Sequence, residues 1–307
     1  MTIRISEFAQ KHLADITRLL TEEYKNSYEF IPFSEEVVSS QIRRRNLKIL
    51  VAEENGNVLG LVGTRLEERG EENIMWLAAR EGPHRKTIEN MLVNEVEKKA
   101  KSDTISVGID EGSPRIIDWI EGGYSLNPGW LRMCAKLDNL TPVPTVTQDI
   151  KLRSLALDEE EKLVEVINTG FGWRRLEVGV LENWRTEDPP FDEEWVQVGE
   201  IGERIVSAVV ARPDTEYNKY LDLNRGYLGP AATLPEFRNK HLASALTARA
   251  MNSLRDKGYN SVRLGTSELN TSSIILLKSL GFQVEAVRKV LRKQRNPPNV
   301  TSIRQAS

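Results

Sequence analysis

Metal ligands and redox-active thiols are what this sequence has least of. Its 307 residues include one cysteine, Cys134, and three histidines, His12, His84 and His241. A single cysteine excludes an internal disulfide. Its setting in a predicted strand reads as a buried, inert thiol rather than a nucleophile. Three scattered histidines offer no metal-ligand spacing, so no metal is expected. No apolar run approaches the length of about 20 residues that a membrane span requires. The formal net charge of −3 supplies no basic excess for a polyphosphate backbone, so no nucleic-acid partner is expected. The first residues read straight into structure without the apolar core of a signal peptide, so a cytoplasmic protein is expected. What remains, with 39% hydrophobic and 28% charged residues, is the composition of a globular enzyme or binding protein.

The length favours two domains of about 150 residues, each large enough for its own core. Residues 138–149 (DNLTPVPTVTQD) carry two prolines and no amphipathic period, and read as a linker between domains at 1–137 and 150–293. Both halves show the same order of elements. Strands at Ile3–Phe8 and Ile150–Leu157 precede helices at His12–Tyr24 and Glu159–Asn168, with second helices at Glu35–Arg45 and Val178–Trp184. Alternating hairpins follow, Ile49–Gly63 turning at Asn55-Gly56 and Val196–Val210 turning at Gly202. Each half then has a strand–helix unit closing on glycine and an aromatic, Gly123-Tyr124 and Gly281-Phe282, 158 positions apart (281 − 123). The expectation is a tandem α/β (α+β) chain, each domain a mixed, mostly antiparallel sheet flanked by helices. The tail, 294–307, has no apolar period and is expected to be disordered.

The stretch Gly226–Gly258 carries the chemistry. A strand rich in small residues, Gly229, Ala231 and Ala232, leads through Pro235-Glu236-Phe237 and Arg238-Asn239-Lys240 into a helix. Leu242, Ala245, Leu246, Ala250 and Leu254 form the apolar stripe of that helix. A helix start presents free N–H groups and a partial positive charge, and here it follows a tight turn and two cations. The combination suits a phosphate dianion. A plain strand–helix corner with basic surface residues has the same local sequence.

The next unit, strand Ser261–Thr266 followed by Ser267-Glu268-Leu269-Asn270 and a short helix to Gly281-Phe282, separates the two readings. In order and spacing the passage resembles the GCN5-related N-acetyltransferase superfamily, in its tandem two-domain layout. The resemblance rests on Pro235-Glu236-Phe237, on the loop Arg238–Ala243, and on Asn270, Ser273 and Gly281-Phe282. It implies that Ala231, Ala232 and Thr233 line the pantetheine of acetyl-CoA. It also implies that Arg238, Asn239, Lys240, His241, Leu242 and Ala243 hold the pyrophosphate, and that Asn270 and Ser273 flank the pantetheine arm. Asn270 reads equally as a helix N-cap.

The implied reaction is direct transfer of an acetyl group to the primary amine of a small molecule or peptide, in the C-terminal domain of a monomer or homodimer. The base is expected to be Glu268, with Asp222 and Tyr227 as weaker candidates. Two positions depart from the family pattern. His241 stands where the family has glycine, and is expected to be tolerated in right-handed helical geometry, its ring adding a charge contact to phosphate. Leu277 stands where many members carry the tyrosine that protonates the thiolate. The departures motivate a second expectation, a non-catalytic acyl-CoA-binding protein. Phe171, Trp173, Trp184, Phe191 and Trp195, set among Glu187, Asp188, Asp192, Glu193 and Glu194, read either as an amine pocket or as packing beside a solvated acidic edge. In the first half Glu89 falls near the phosphate position and Trp119 at the tyrosine position, so that domain is expected to be degenerate.

Overall fold

The computed structural model describes residues 2–67 and 70–295, and it forms two compact units, Met1–Gly129 with Arg288–Ser307, and Trp130–Val287. The chain begins with β1 (Arg4–Glu7), α1 (Leu13–Tyr24), α2 (Glu35–Arg44), β2 (Lys48–Glu54) and β3 (Asn57–Leu66). It continues through β4 (Glu71–Ala79), α3 (Arg85–Lys99), β5 (Thr104–Asp110), α4 (Arg115–Glu121) and β6 (Ser125–Lys136). Then come β7 (Lys151–Ser154), α5 (Glu160–Phe171), α6 (Val180–Glu187), β8 (Val196–Ile201), β9 (Arg204–Pro213) and α7 (Thr215–Leu221). The last elements are β10 (Arg225–Thr233), α8 (Leu242–Asp256), β11 (Ser261–Ser267), α9 (Thr271–Ser279) and β12 (Gln283–Gln294).

Each unit is built on a six-stranded sheet with one parallel neighbour pair. In the first unit the order is β1-β2-β3-β4-β5-β12, and only β4–β5 is parallel. In the second it is β7-β8-β9-β10-β11-β6, and only β10–β11 is parallel. The parallel pairs are the ones joined by crossover helices, α3 and α8, because two residues of turn cannot reverse a parallel connection. These units do not follow chain order. Trp130–Lys136 pairs with β11 inside the second unit, and Arg288–Gln294 pairs with β5 inside the first. A division at 137 and 150 assigns both segments to the other half, since a linker marks covalent order and not pairing. Gln294, expected in the tail, is the last residue of β12, while the tail from 296 onward lies outside the described residues.

Strand alternation explains how the first unit has two cores. Leu77 and Ala79 of β4 face Ile88, Leu92 and Val96 of α3, whereas Trp76 and Ala78 belong with Leu13, Ile16, Leu19 and Leu20 of α1 and Val38 of α2. In the second unit Leu242, Leu246, Ala250 and Leu254 of α8 share one core with Val198, Val206, Val209 and Val262. Small residues set the spacing. A Cβ on Gly226 would lie 2.6 Å from Leu254, and one on Gly199 2.9 Å from Leu242.

The start of α5 is fixed by charge. Arg153 of β7 holds Glu159 through both carboxylate oxygens, at 2.6 and 2.8 Å, and the same carboxylate accepts the Ala156 N–H at 3.1 Å. A bidentate, charge-assisted pair of this kind favours the ionised acid. The Arg153 bond holds the Glu159 pKa down at about 2, with the Ala156 N–H and Lys162 assisting. A depressed folded-state pKa gives stability that is complete above the unfolded value near 4.5 and is lost as pH falls toward 2. Thermal unfolding of the second unit between pH 5 and 2.5 should therefore show a steeper loss of Tm in the wild type than in Glu159→Gln. Parallel curves would contradict the assignment.

Candidate functional site

Strands β10 and β11 begin as a parallel pair and then part. Their pairing covers Arg225–Tyr227 against Ser261–Arg263 and stops there, although both strands continue. The cause lies on the other side of β10. Its register with β9 shifts between Leu228 and Ala231, where Gly229 has φ +141°, a conformation that side chains resist. Ala231, Ala232 and Thr233 resume pairing with Val209, Ala208 and Ser207, but their other edge no longer meets β11. That edge is a run of backbone groups beside a gap, lined by side chains too small to fill it.

At the open end of the gap the chain makes one turn of 3-10 helix, Pro235–Phe237, and enters α8 through Arg238–His241. Asn239 and His241 both have left-handed backbones, φ +62° and +57°. Alternating left-handed residues of this kind turn successive N–H groups toward one concave side. Among the described residues, the N–H groups of residues 239–244 find no acceptor, whereas that of Ala245 bonds to the His241 carbonyl at 2.9 Å. Six consecutive donors and the start of a four-turn helix thus point to one exposed place.

The structure corrects the reading of His241. It is not in right-handed geometry; it is the left-handed N-cap of α8, the conformation for which glycine is the unstrained choice. Its imidazole is not used as a cap, and the residue is exposed. Leu242 is 1% exposed and anchors the helix in the core, so its share in the loop is through its backbone. Arg238 is held away from the concave side. Its Nη2 donates to the Gly170 carbonyl at 3.0 Å and its Nε approaches the Thr233 carbonyl at 3.4 Å, tying the end of α5 to the loop. Gly170 permits this approach, because a Cβ there would stand 2.7 Å from the Ala232 methyl. Lys240 is exposed, with its ammonium 5.3 Å from the Phe237 ring.

Beyond β11 the chain turns through Glu268. Glu268 directly follows Ser267, the last residue of β11, on the strand that parts from β10 past Arg263. Its side chain is half-buried. Asn270 caps α9, its Oδ1 accepting the Ser273 N–H at 3.3 Å, which is the helix-cap alternative for that residue. Leu277 is 6% exposed and belongs to the core. The weaker candidate bases separate. Asp222 is an exposed left-handed cap after α7, just before β10 starts and therefore far along the strand from the gap. Tyr227 is the last residue of β10 paired with β11, so it stands at the base of the gap.

Sequence reasoning missed what surrounds Tyr227. Cross-strand register places Arg212, Tyr227 and Arg263 in one row over β9, β10 and β11, with the guanidinium carbons 5.4 and 5.6 Å from the Tyr227 ring. Asp188 bonds Arg212 at 2.6 Å, and burial raises its pKa against the pull of that arginine. Asp214, 7% exposed, bridges Arg225 and Arg263. Only the pairing of strands distant in sequence assembles this row. The aromatic cluster resolves toward packing: Trp184, Phe191 and Trp195 are buried, Trp184 meeting Phe191 edge to face and Phe191 meeting Trp195 at a tilt, and of the five only Phe171 and Trp173 remain outside, stacked with Arg175. Among the described residues no group of three or more His, Cys, Asp or Glu is placed to hold a metal, and no helix is long and apolar enough to cross a membrane.

The family model described as acetyltransferase (GNAT) family matches residues 154–282, which span β10, the loop, α8, β11 and α9. The second unit therefore matches the GNAT acetyltransferase family over residues 154–282. The whole chain shares the fold of a GCN5-related N-acetyltransferase from Sphaerobacter thermophilus, at 15% identity and TM-score 0.70, covering 96% of each chain. It is similarly like a tandem GNAT protein from the clavulanic acid biosynthesis pathway, at 14% identity and TM-score 0.67, covering 97% of this chain and 100% of that one. A glucosamine N-acetyltransferase region of a fungal multi-domain GH3 β-N-acetylglucosaminidase aligns over 94% of this chain and 38% of that one, at 13% identity and TM-score 0.72. No curated protein matches. Both units thus have GNAT architecture, and the family's chemistry is acyl transfer.

The backbone of His241 gives a direct test. Releasing a left-handed non-glycine residue recovers roughly 1–2 kcal/mol, while glycine costs roughly 0.4–1 kcal/mol through the unfolded chain. His241→Gly should therefore stabilise the second unit by about 0.5–1 kcal/mol in urea unfolding. It should bind acetyl-CoA at least as tightly. Weaker binding would show that the imidazole itself contacts phosphate.

Proposed function

We propose that the second unit transfers an acetyl group from acetyl-CoA to the primary amine of a small molecule or peptide. One observation carries this reading: a strand pair opened at a bulge, next to a helix-start loop whose N–H groups have no acceptors among the described residues. The residues fit the co-substrate. The edge of Ala231–Thr233 would pair with pantetheine amides, and the N–H groups of residues 239–243 would cradle the pyrophosphate. Lys240 would add screening charge, and Arg238 would position the loop from behind. Acetyl-CoA supplies an acyl group activated as a thioester. Main-chain N–H groups at the base of the gap would stabilise charge developing on the carbonyl oxygen. Glu268, through water, would take the proton that the amine loses as its nitrogen bonds to the acyl carbon, and the thiolate would leave unassisted, since Leu277 offers no acid. Alignment of the two reactants supplies much of the rate. We place the enzyme in the cytoplasm, acting as monomer or homodimer without metal.

A second reading, acyl-CoA binding without turnover, is favoured by one specific observation, the burial of Leu277 where many family members carry their acid. Calorimetry with acetyl-CoA and thiol release with a panel of amines and peptides separate the two. The expected result is binding near stoichiometric unity and thiol release with at least one amine class. Lys240→Glu, an exposed change that leaves the fold intact, should weaken acetyl-CoA by about tenfold or more. Glu268→Gln should lower kcat by about 10²–10⁴ with the acetyl-CoA affinity unchanged. Binding with silence across the panel would establish the second reading. No heat and no competition by CoA would remove both.

A further inference from the structure

The first unit has the same opening, and we propose that it is closed by the chain's own side chains, with Tyr24 standing where a ligand amide would be. Strands β4 and β5 pair in parallel only over Glu71–Ile74 against Thr104–Val107, and β4 carries a register shift against β3 beside Trp76 and Ile74. The two units align residue by residue at this point. The strand-end bonds Arg80 N–H to Leu59 O (2.7 Å) and Leu234 N–H to Val206 O (2.9 Å) are equivalent, as are the pairs Gly60–Ala79 and Ser207–Thr233. Counting back two residues, Leu77 corresponds to Ala231.

The edge that is exposed at Ala231 is occupied at Leu77. Its N–H donates to the Tyr24 hydroxyl at 3.2 Å. The helices explain why. The buried triads Ile16, Leu19, Leu20 and Leu163, Val166, Ile167 superpose α1 on α5, so Tyr24 matches Phe171 and Glu23 matches Gly170. In the second unit glycine lets α5 sit close against Ala232, and Phe171 turns outward to Trp173 and Arg175. In the first unit Glu23 fills that place and binds Arg85 at 2.6 Å and Arg115. Both arginines also bind Glu89, each at 3.0 Å. Arg85 and Glu89 lie in the first turn and a half of α3, so ion pairs cover the helix start that in α8 is bare. The loop before α3 is also shorter, residues 80–84 against 234–241. On the far strand, Arg288 lies over Gly108, its Nη2 bonded to the Gly108 carbonyl at 2.8 Å.

An unpaired backbone edge inside a protein is costly, so a splayed strand pair persists only if something satisfies it. In the first unit that something is covalent and permanent. The chain consequently holds one acyl-CoA, not two, and the first unit keeps a GNAT shape without exchangeable contents. This rests on the acyl-CoA reading of the second unit for what the opening would otherwise hold.

Residue-resolved hydrogen exchange on the full chain tests it, using Tyr24→Phe, which removes one oxygen and keeps the ring. The Leu77 amide should be protected in the wild type, exchange at least tenfold faster in Tyr24→Phe, and be unchanged by saturating acetyl-CoA, while the Ala231 amide is slowed. Native mass spectrometry should count one CoA per wild-type chain and none on Lys240→Glu at the same concentration. A Leu77 amide that exchanges freely in the wild type, is indifferent to Tyr24→Phe or is slowed by acetyl-CoA overturns the proposal. So does a second bound CoA, or one retained at full affinity by Lys240→Glu. If acetyl-CoA binds nowhere, the reading of the second unit fails, and the plug is still decided by the Leu77 amide alone.

Discussion

Two parallel strands that separate partway along their length create an obligation that the rest of each unit answers. Every residue past the separation has backbone groups on its open edge that water, protein or ligand must meet. In β10 the separation follows from one extra residue at the Gly229 bulge, and β11 cannot follow because it is paired along its whole length to β6. The rigidity of the outer pairing is what keeps the gap open. A strand free to drift would close it, and the small side chains of Ala231 and Ala232 would then have no consequence. The loop before α8 depends on the same feature, since it is delivered by the splayed end of β10 and locked by Arg238 to the end of α5.

The two units show one scaffold answering that obligation in opposite ways. Glu23 and Tyr24 against Gly170 and Phe171 is a two-residue difference at the end of one helix, yet it decides whether a neighbouring main-chain edge is bonded from within. The substitution of Glu for Gly is the more consequential. Glycine removes a side chain that would collide with Ala232, while glutamate brings a charge that recruits Arg85 and Arg115 across α1, α3 and α4. Burial pushes the Glu23 carboxyl above its ordinary range even against those two arginines, which marks the network as tightly packed. With Glu81 also on Arg85, three acids meet two bases, so the network carries no positive excess and has no call on an external anion.

Much of this was legible in the sequence, for physical reasons that differ from element to element. Helix and hairpin positions followed from apolar period, so α1 came within one residue and the Asn55-Gly56 turn was placed outright. The loop before α8 stood out because punctuation by Pro235 and small residues in a strand are both unusual. The left-handed backbone of His241 was not visible, since only glycine advertises that conformation in a sequence and histidine conceals it. Nor was the exchange of Arg288–Gln294 into the first unit, because strand pairing between segments far apart leaves no local mark. The same limit hid the row of Arg212, Tyr227 and Arg263, and the meeting of Tyr24 with Leu77.

The buried aromatics carry a further consequence for the acceptor. With Trp184, Phe191 and Trp195 committed to the core, the acidic residues around them lose the role of a rim around an aromatic cage. Glu193 is 4% exposed and paired with Arg185, and Asp188 is paired with Arg212, so both are structural counter-charges first. What faces the base of the gap is instead a row of guanidinium groups on either side of Tyr227. Both guanidinium groups are themselves paired, Arg212 with Asp188 and Arg263 with Asp214, so the row is charge-balanced rather than a free cationic surface. The acidic composition of residues 187–194 therefore does not by itself mark an acceptor pocket, because burial and counter-charge already account for Asp188 and Glu193.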